Sequence, residues 1–199
     1  MMKMMVLGVL MASAAAGLAQ ESRQDASVSA IGVFPPSVNG TGGVRESATS
    51  TVGFLGSYRY MLTPRSAAEA NYSFAQYATR FNTNFLPNFR VHTRQQEISV
   101  AYVYSFNFHN FSPFAEVGPA AILFSPIRDF ASTSLDLKRT TAIGAVFGAG
   151  VAYEISPSFD LRVQYRGFAV KAPDFGLDNL KTNRYEVISM PTVGVAYHF

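Results

Sequence analysis

The chain contains no cysteine and no tryptophan, and it is poor in charge. Without thiols, a disulfide framework and a thiolate metal site are both excluded. Charged residues fill 15% of the 199 positions, against roughly a quarter in an ordinary soluble domain. Long apolar runs are scarce as well, and no internal stretch approaches the roughly 18 residues of a membrane-spanning helix. Yet 48% of the residues are apolar. A chain this apolar without a helical span has one other way to cross a membrane, a closed sheet whose backbone groups all pair with neighbours. The net charge of +3 is dispersed along the chain and too weak to point to nucleic acid. His92, His109 and His198 are too scattered for a metal site, and nothing in the sequence calls for a cofactor.

The first residues have the layout of a secretory signal peptide. Lys3 precedes an apolar run over 6–18, and Gly17 and Ala19 place small residues at both recognition positions before Gln20. Cleavage is expected between Ala19 and Gln20, so that 1–19 is the signal peptide and 20–199 a single mature domain. A run of about thirteen residues is too short to span easily as an anchor. With no cysteine after the cleavage site, lipoprotein anchoring is excluded.

From Asp25 onward the chain breaks into strand-like stretches at regular spacing. Eight strands are expected, at about 26–34, 50–62, 67–81, 96–108, 113–124, 141–155, 159–170 and 185–199. Pro35 and Pro36 end the first, since proline donates nothing to a ladder. Short turns at 63–66, 109–112 and 156–158 alternate with long loops at 37–43, 82–92, 125–139 and 171–184. That alternation is the pattern of an up-and-down transmembrane β-barrel, with short turns on one side and long loops on the other.

Period-two patterning supports it. In the fourth strand Ile98, Val100, Tyr102, Tyr104, Phe106 and Phe108 share one face, opposite Glu97, Ser99, Ala101, Ser105 and Asn107. The seventh sets Phe159, Leu161, Val163 and Tyr165 against Asp160, Arg162, Gln164 and Arg166. A soluble barrel would turn the apolar face inward. Two features favour lipid outside. Aromatics including Tyr60, Tyr72, Tyr104, Phe106, Tyr153, Phe159 and Tyr197 are expected near the turns, as in an interfacial girdle. The opposite faces carry Gly, Ser, Ala and a few charges, which suits the cramped interior of eight strands. The first strand is the weakest, and its register is open by one residue.

The last strand completes the pattern. Val193, Val195, Tyr197 and Phe199 alternate with Thr192, Gly194, Ala196 and His198. Thr192, Gly194, Tyr197 and Phe199 occupy the slots of a terminal signature, and the stretch resembles the closing strand of Gram-negative outer-membrane β-barrels. The segments 148–153, 156–157 and 161–166 look like the paired strands of OmpA-like small barrels, and 113–118 is similar to the fifth strand of that superfamily, with Pro119 in place of its usual second Gly. The resemblance covers nearly the whole mature chain. It implies an all-β, eight-stranded antiparallel up-and-down transmembrane barrel in the outer membrane, monomeric, with both termini periplasmic. It also implies that the last strand is the segment read by the barrel-assembly machinery.

Counting from the turns places Arg59, Glu69, Glu116, Glu154, Asp160, Arg162 and His198 inside, towards the turn end. Arg166 lies higher, and Glu97 and Glu186 near the loop mouth. A charge in a narrow lumen must be paired or hydrated, so Arg59, Glu69, Glu116, Glu154, Arg162 and Arg166 are expected to form a salt-bridged plug rather than a pore. The long loops hold Arg45, Arg80, Arg90, Arg94, Arg128, Lys138, Arg139, Lys171, Lys181 and Arg184 against Glu46, Asp129, Asp136, Asp174 and Asp178. Arg90, Arg94, Arg128, Lys138, Arg139 and Arg184 are the candidate contacts to outer-membrane lipid and the phosphates of lipopolysaccharide. The loop residues Phe130, Leu135, Leu137, Phe175, Leu177 and Leu180 would dock a partner or fold onto the rim.

Some barrels of this architecture modify lipids, which requires a histidine base beside a serine, oriented by an acid. No histidine here has a serine two residues away on the same strand face in the loop half, and His109 and Ser112 sit together in a turn. The expectation is a non-catalytic barrel with a structural or surface-interaction role. A narrow porin-like channel is the alternative, and a lipid-A-modifying enzyme a distant third.

Overall fold

In the computed structural model the described residues are 23–40, 44–82, 89–127, 137–177 and 182–199. The expected signal peptide, 1–19, lies outside them, as do Arg128, Phe130, Leu135, Leu180 and Lys181. Among the described residues no helix is long and apolar enough to cross a membrane, which says nothing of strands.

Among the described residues ten strands follow in order: β1 (Gln24–Val33), β2 (Val38–Asn39), β3 (Arg45–Ala48), β4 (Thr51–Thr63), β5 (Ser66–Asn82), β6 (Phe89–Ser105), β7 (Phe111–Pro126), β8 (Thr140–Ser156), β9 (Phe159–Lys171) and β10 (Tyr185–His198). The eight long ones form an antiparallel sheet of sequential neighbours, and β1 pairs with β10 to close it. The closing register runs from Asp25 opposite His198 to Ile31 opposite Thr192. Closure removes both sheet edges, which an open sheet would leave as aggregation templates.

The turns are local chemistry. Thr63 Oγ1 accepts from the backbone N–H of Ser66 at 3.0 Å, bending the chain at Pro64 between β4 and β5. His109 adopts φ 42° between Phe108 and Phe111, which bridge each other. The expected eight strands are all present. Two differences lie at the loop end. The stretch between the first two expected strands, whose 37–43 are expected as loop, contains the β2–β3 hairpin, and β3 docks on the far end of β5 with Glu46 opposite Phe81. The segment 89–95, expected as loop through His92 and as no strand before Gln96, is the start of β6 and pairs with β5 throughout. Its Val91, Thr93 and Gln95 point inward while Arg90, His92 and Arg94 point outward. The alternation is there, but its outer residues are polar, so the strand signal was lost.

The outer wall is apolar as expected. Val52, Phe54, Ile98, Val100, Tyr102, Ile143, Leu161, Val163, Val193 and Tyr197 are all exposed. Tyr72 is not near a turn: it joins Phe54 and Phe74 in an aromatic cluster further up the wall, with ring centroids 6.2 Å apart for Phe54–Tyr72 and 5.7 Å for Phe54–Phe74. Phe159, Tyr197 and Phe199 form another at the turn end, 5.1 Å and 6.0 Å apart. The register of β1 is settled by Val28 facing outward while Ile31 and Val33 are buried.

The interior corrects one expectation. Its loop half holds, beside buried polar residues such as Thr79, Thr93 and Gln95, a layer of large apolar ones: Ile31, Val33, Leu55, Phe81, Ile122, Phe124, Val146, Phe168, Ile188 and Met190. Phe175, from the last loop, is buried in the same layer and meets Phe81 edge-on at 6.0 Å. Leu137 and Leu177 pack partly against it. These loop apolars therefore fold into the mouth.

Candidate functional site

The turn half of the lumen holds the charges. Arg59 on β4 donates from Nε to Glu69 on β5 at 2.6 Å, and its guanidinium lies 4.8 Å from the ring centroid of Phe114. Arg162 on β9 reaches Asp25 on β1 at 2.6 Å. Deeper in, Arg166 binds Glu116 at 2.9 Å and Glu97 at 3.4 Å, and donates to Ser99 Oγ at 3.2 Å. Its other side faces Phe168, 5.1 Å from the ring centroid, where the apolar layer begins. Both Arg166 and Glu97 have side chains with 0% exposure. Desolvating such charges costs several kcal/mol per ion by general estimate, and the short paired geometry is what offsets it.

Backbone space makes this network possible. Gly148 on β8 stands between Glu116 and Arg166 in register. A Cβ there would sit 2.7 Å from Glu116 Oε1 and 2.6 Å from the carbonyl of Tyr165. The glycine leaves the gap through which the arginine on one strand reaches the acid two strands away.

Of the six charges expected in the plug, Arg59, Glu69, Glu116, Arg162 and Arg166 are buried and ion-paired. Glu154 is not. It is exposed at the turn-end mouth and lines a cavity of about 350 Å³ together with Asp25, Arg59, Asp160, Arg162 and His198. It pairs with Asp160 on the inner side at the last regular position before the β8–β9 register shift, where the lumen opens, so it is solvated rather than ion-paired. Glu97, expected near the mouth, is instead a partner of Arg166, because β6 starts at Phe89 and so places Glu97 well inside. Asp25 was missed as a site residue. It lies at the start of the weakest strand, and its contact with Arg162 is set by the β1–β10 and β10–β9 registers, which no single strand contains.

At the loop end the expected solvated acid Glu46 is also a correction. It is 4% exposed, its Oε2 has no hydrogen-bond partner among the described residues, and burial together with the charge of Glu186 pushes its pKa up to about 9. The alternation of β3 turns Arg45 outward and Glu46 in. The candidate basic residues Arg90, Arg94, Lys138, Arg139 and Arg184 are all exposed at this end. Arg90 and Arg94 lie on β6 rather than on a loop.

In the last strand, Thr192 is buried and donates to the Met190 carbonyl at 3.1 Å. At Gly194 a Cβ would collide with Ser29 Oγ and the Val28 carbonyl on β1, so only glycine lets the closing strands approach this closely. Tyr197 faces out, and the Phe199 N–H donates to the Gln24 carbonyl at 3.0 Å. His198 faces the lumen and its Nε2 lies 2.8 Å from Asp160. Among the described residues no hydroxyl is hydrogen-bonded to this imidazole, and no group of three potential metal ligands converges.

Three solved structures share the architecture. The outer membrane protein OprG from Pseudomonas aeruginosa superposes with a TM-score of 0.65 at 13% identity, over 90% of this chain and 97% of that one. Neisserial surface protein A gives 0.59 at 16% identity, over 89% and 98%. The E. coli outer membrane protein W gives 0.53 at 16% identity, over 92% and 100%. At these identities the likeness is one of fold alone. No curated protein matches the sequence. The model of the outer membrane protein beta-barrel domain, however, matches residues 5–199. With its closed eight-stranded barrel, apolar outer wall and charged lumen, this chain belongs to the outer membrane protein beta-barrel family of the bacterial outer membrane.

Proposed function

We propose that the protein is a closed, non-catalytic barrel that works through its surface, in envelope integrity or in contact with lipopolysaccharide or a partner at its loop end. The loops face outward from the cell and both termini are periplasmic, following cleavage of residues 1–19. The observation that carries this reading is the filled lumen. An ion-paired layer around Arg166 is stacked directly beneath an apolar layer around Phe168. Eight strands leave little interior space once side chains are placed, and here both the polar and the apolar fillings are buried.

Planar-bilayer recording on the purified barrel tests it. The expected result is no stable conductance, and wide openings of a single size would overturn it. A narrow channel is the second reading, favoured by the cavity at the turn-end mouth. That cavity reaches Arg59 and Phe114, so conduction would require the layers above to move.

The closing strand is the proposed contact for the barrel-assembly machinery, through Thr192, Gly194, Tyr197 and Phe199. The basic residues of the loop end, Arg128 among them, are the proposed contacts to lipopolysaccharide.

A further inference from the structure

The outer wall beyond the upper aromatic cluster carries a row of arginines that the fold sets against one another. Arg80 on β5 stands directly opposite Arg90 on β6. Arg45 on β3 is opposite Asn82, which makes it the diagonal neighbour of Arg80. Opposed side chains on a strand pair have Cβ atoms about 5 Å apart and diagonal ones about 7–8 Å, and like charges so placed destabilise the pair. All three arginines are exposed. Nothing on the sheet offsets the repulsion. The outward neighbours are Ser47, Gln76, Ala78, Asn82, His92 and Arg94, none of them an acid, while Glu46 points inward. Among the described residues none of the three makes an ion pair.

The depth of the row is set by what lies below it. Ile98, Val100 and Tyr102 are exposed apolar residues of the same strand. Gln96 then donates to the Tyr72 hydroxyl at 2.9 Å, and the Arg94 guanidinium lies 6.0 Å from the Phe74 ring centroid. The wall thus passes from apolar to amphipathic to cationic within one strand. With a rise of about 3.3 Å per residue and a tilt of about 40°, Arg94 stands roughly 10 Å above Ile98 and Arg90 roughly 20 Å above it. That is the headgroup zone and the layer just beyond it.

We propose that this face of β3, β5 and β6 binds the phosphorylated sugar headgroup of an outer-leaflet glycolipid, with Arg45, Arg80 and Arg90 converging on phosphate. The guanidinium fork matches phosphate oxygens in pairs, and an anion held between Arg80 and Arg90 turns their repulsion into shared attraction. The inference rests on the reading that the loop end faces outward. It adds that the ligand lies along the barrel wall rather than at the loop tips.

The test uses the full barrel in nanodiscs of phosphatidylcholine, with folding verified by heat-modifiable gel migration, titrated with fluorescent bisphosphorylated lipid A. At about 1 kcal/mol per basic residue near an anionic surface, R80Q/R90Q weakens binding roughly thirtyfold. A second variant, Arg80→Glu, places opposite charges across the strand pair; it leaves the sheet sound and likewise loses lipid A. Lipid A stripped of its phosphates binds wild type no better than R80Q/R90Q. Unchanged affinity in both variants would overturn the proposal, as would equal binding of the phosphate-free lipid. Competition by inorganic phosphate at matched concentration would overturn the glycolipid assignment. In parallel, Lys138→Cys is labelled on intact cells with an impermeant maleimide, the natural chain having no cysteine. Labelling with unchanged lipid affinity sinks the wall site and leaves the orientation standing; no labelling on cells, with labelling after lysis, sinks the orientation itself.

Discussion

Arg166 and Glu116 meet 2.9 Å apart across an intervening strand, through the space that Gly148 leaves open, with both side chains shut off from solvent. Glu97 completes the arrangement at 3.4 Å, so one guanidinium serves two carboxylates. Removing the arginine leaves both acids buried and uncompensated. Arg166→Met should lower the unfolding free energy by about 3–5 kcal/mol, read from urea titrations followed by far-ultraviolet circular dichroism in lipid vesicles. Neutralising the acids as well, in R166M/E97Q/E116Q, should recover most of that loss. A triple variant as unstable as the single one would show that packing, not charge pairing, is what Arg166 supplies.

The apolar layer should be what closes the lumen at the loop end. Phe124 and Phe168 are both fully buried there. Each Phe→Ala change costs about 3–5 kcal/mol in a packed interior. The F124A/F168A barrel should still assemble at reduced temperature and show brief conductance events absent from the wild type. Silence from a verified folded double variant would assign closure to the ion-paired layer instead.

The closing strand should be intolerant at two places for different reasons. Gly194→Val drives a branched side chain into Ser29 and the Val28 carbonyl, which obstructs β1–β10 pairing itself. Phe199→Asp leaves that register intact but removes the ring that packs 6.0 Å from Tyr197 and 6.4 Å from Tyr58. Both should lower the folded fraction recovered in outer membranes. In detergent refolding, free of assembly factors, Phe199→Asp should recover and Gly194→Val should not. Equal recovery of both would remove the distinction.

Stability should fall as pH rises through the neutral range. The pKa of Glu46 is raised from 4.5 to about 9 by burial, then by Glu186. Between those two values the folded state holds a proton that the unfolded chain has released, so unfolding is favoured progressively with pH. The group contributes no such penalty below the unfolded value. Glu46→Gln should therefore flatten the decline in melting temperature between pH 5 and pH 9 and raise its upper end. A variant with the wild-type slope would assign the pH dependence elsewhere.

Some of this was legible in the chain. Alternation in 98–108 and 159–165, the turns at Pro64 and Pro157, and the spacing of long and short connections are local properties, each written within a few residues. They determine strand count, the outward face and closure, because a strand's side chains have only two directions to point. The arginines and acids of the interior were equally visible as residues on the inner face.

Which of them meet was decided elsewhere. Asp25 and Arg162 are 137 residues apart, and their contact exists only because β1 closes on β10 in one register. The inward turn of Glu46, the strand character of Arg90 and Arg94, and the burial of Phe175 likewise depend on elements docking at the loop end. By itself the sequence determined a barrel with apolar walls and a charged interior, since period-two patterning is a short-range code. The tertiary structure alone decided the pairing of those charges, the apolar layer above them and the arginine row outside, because partners across a closed sheet are set by register and shear, which no single strand contains.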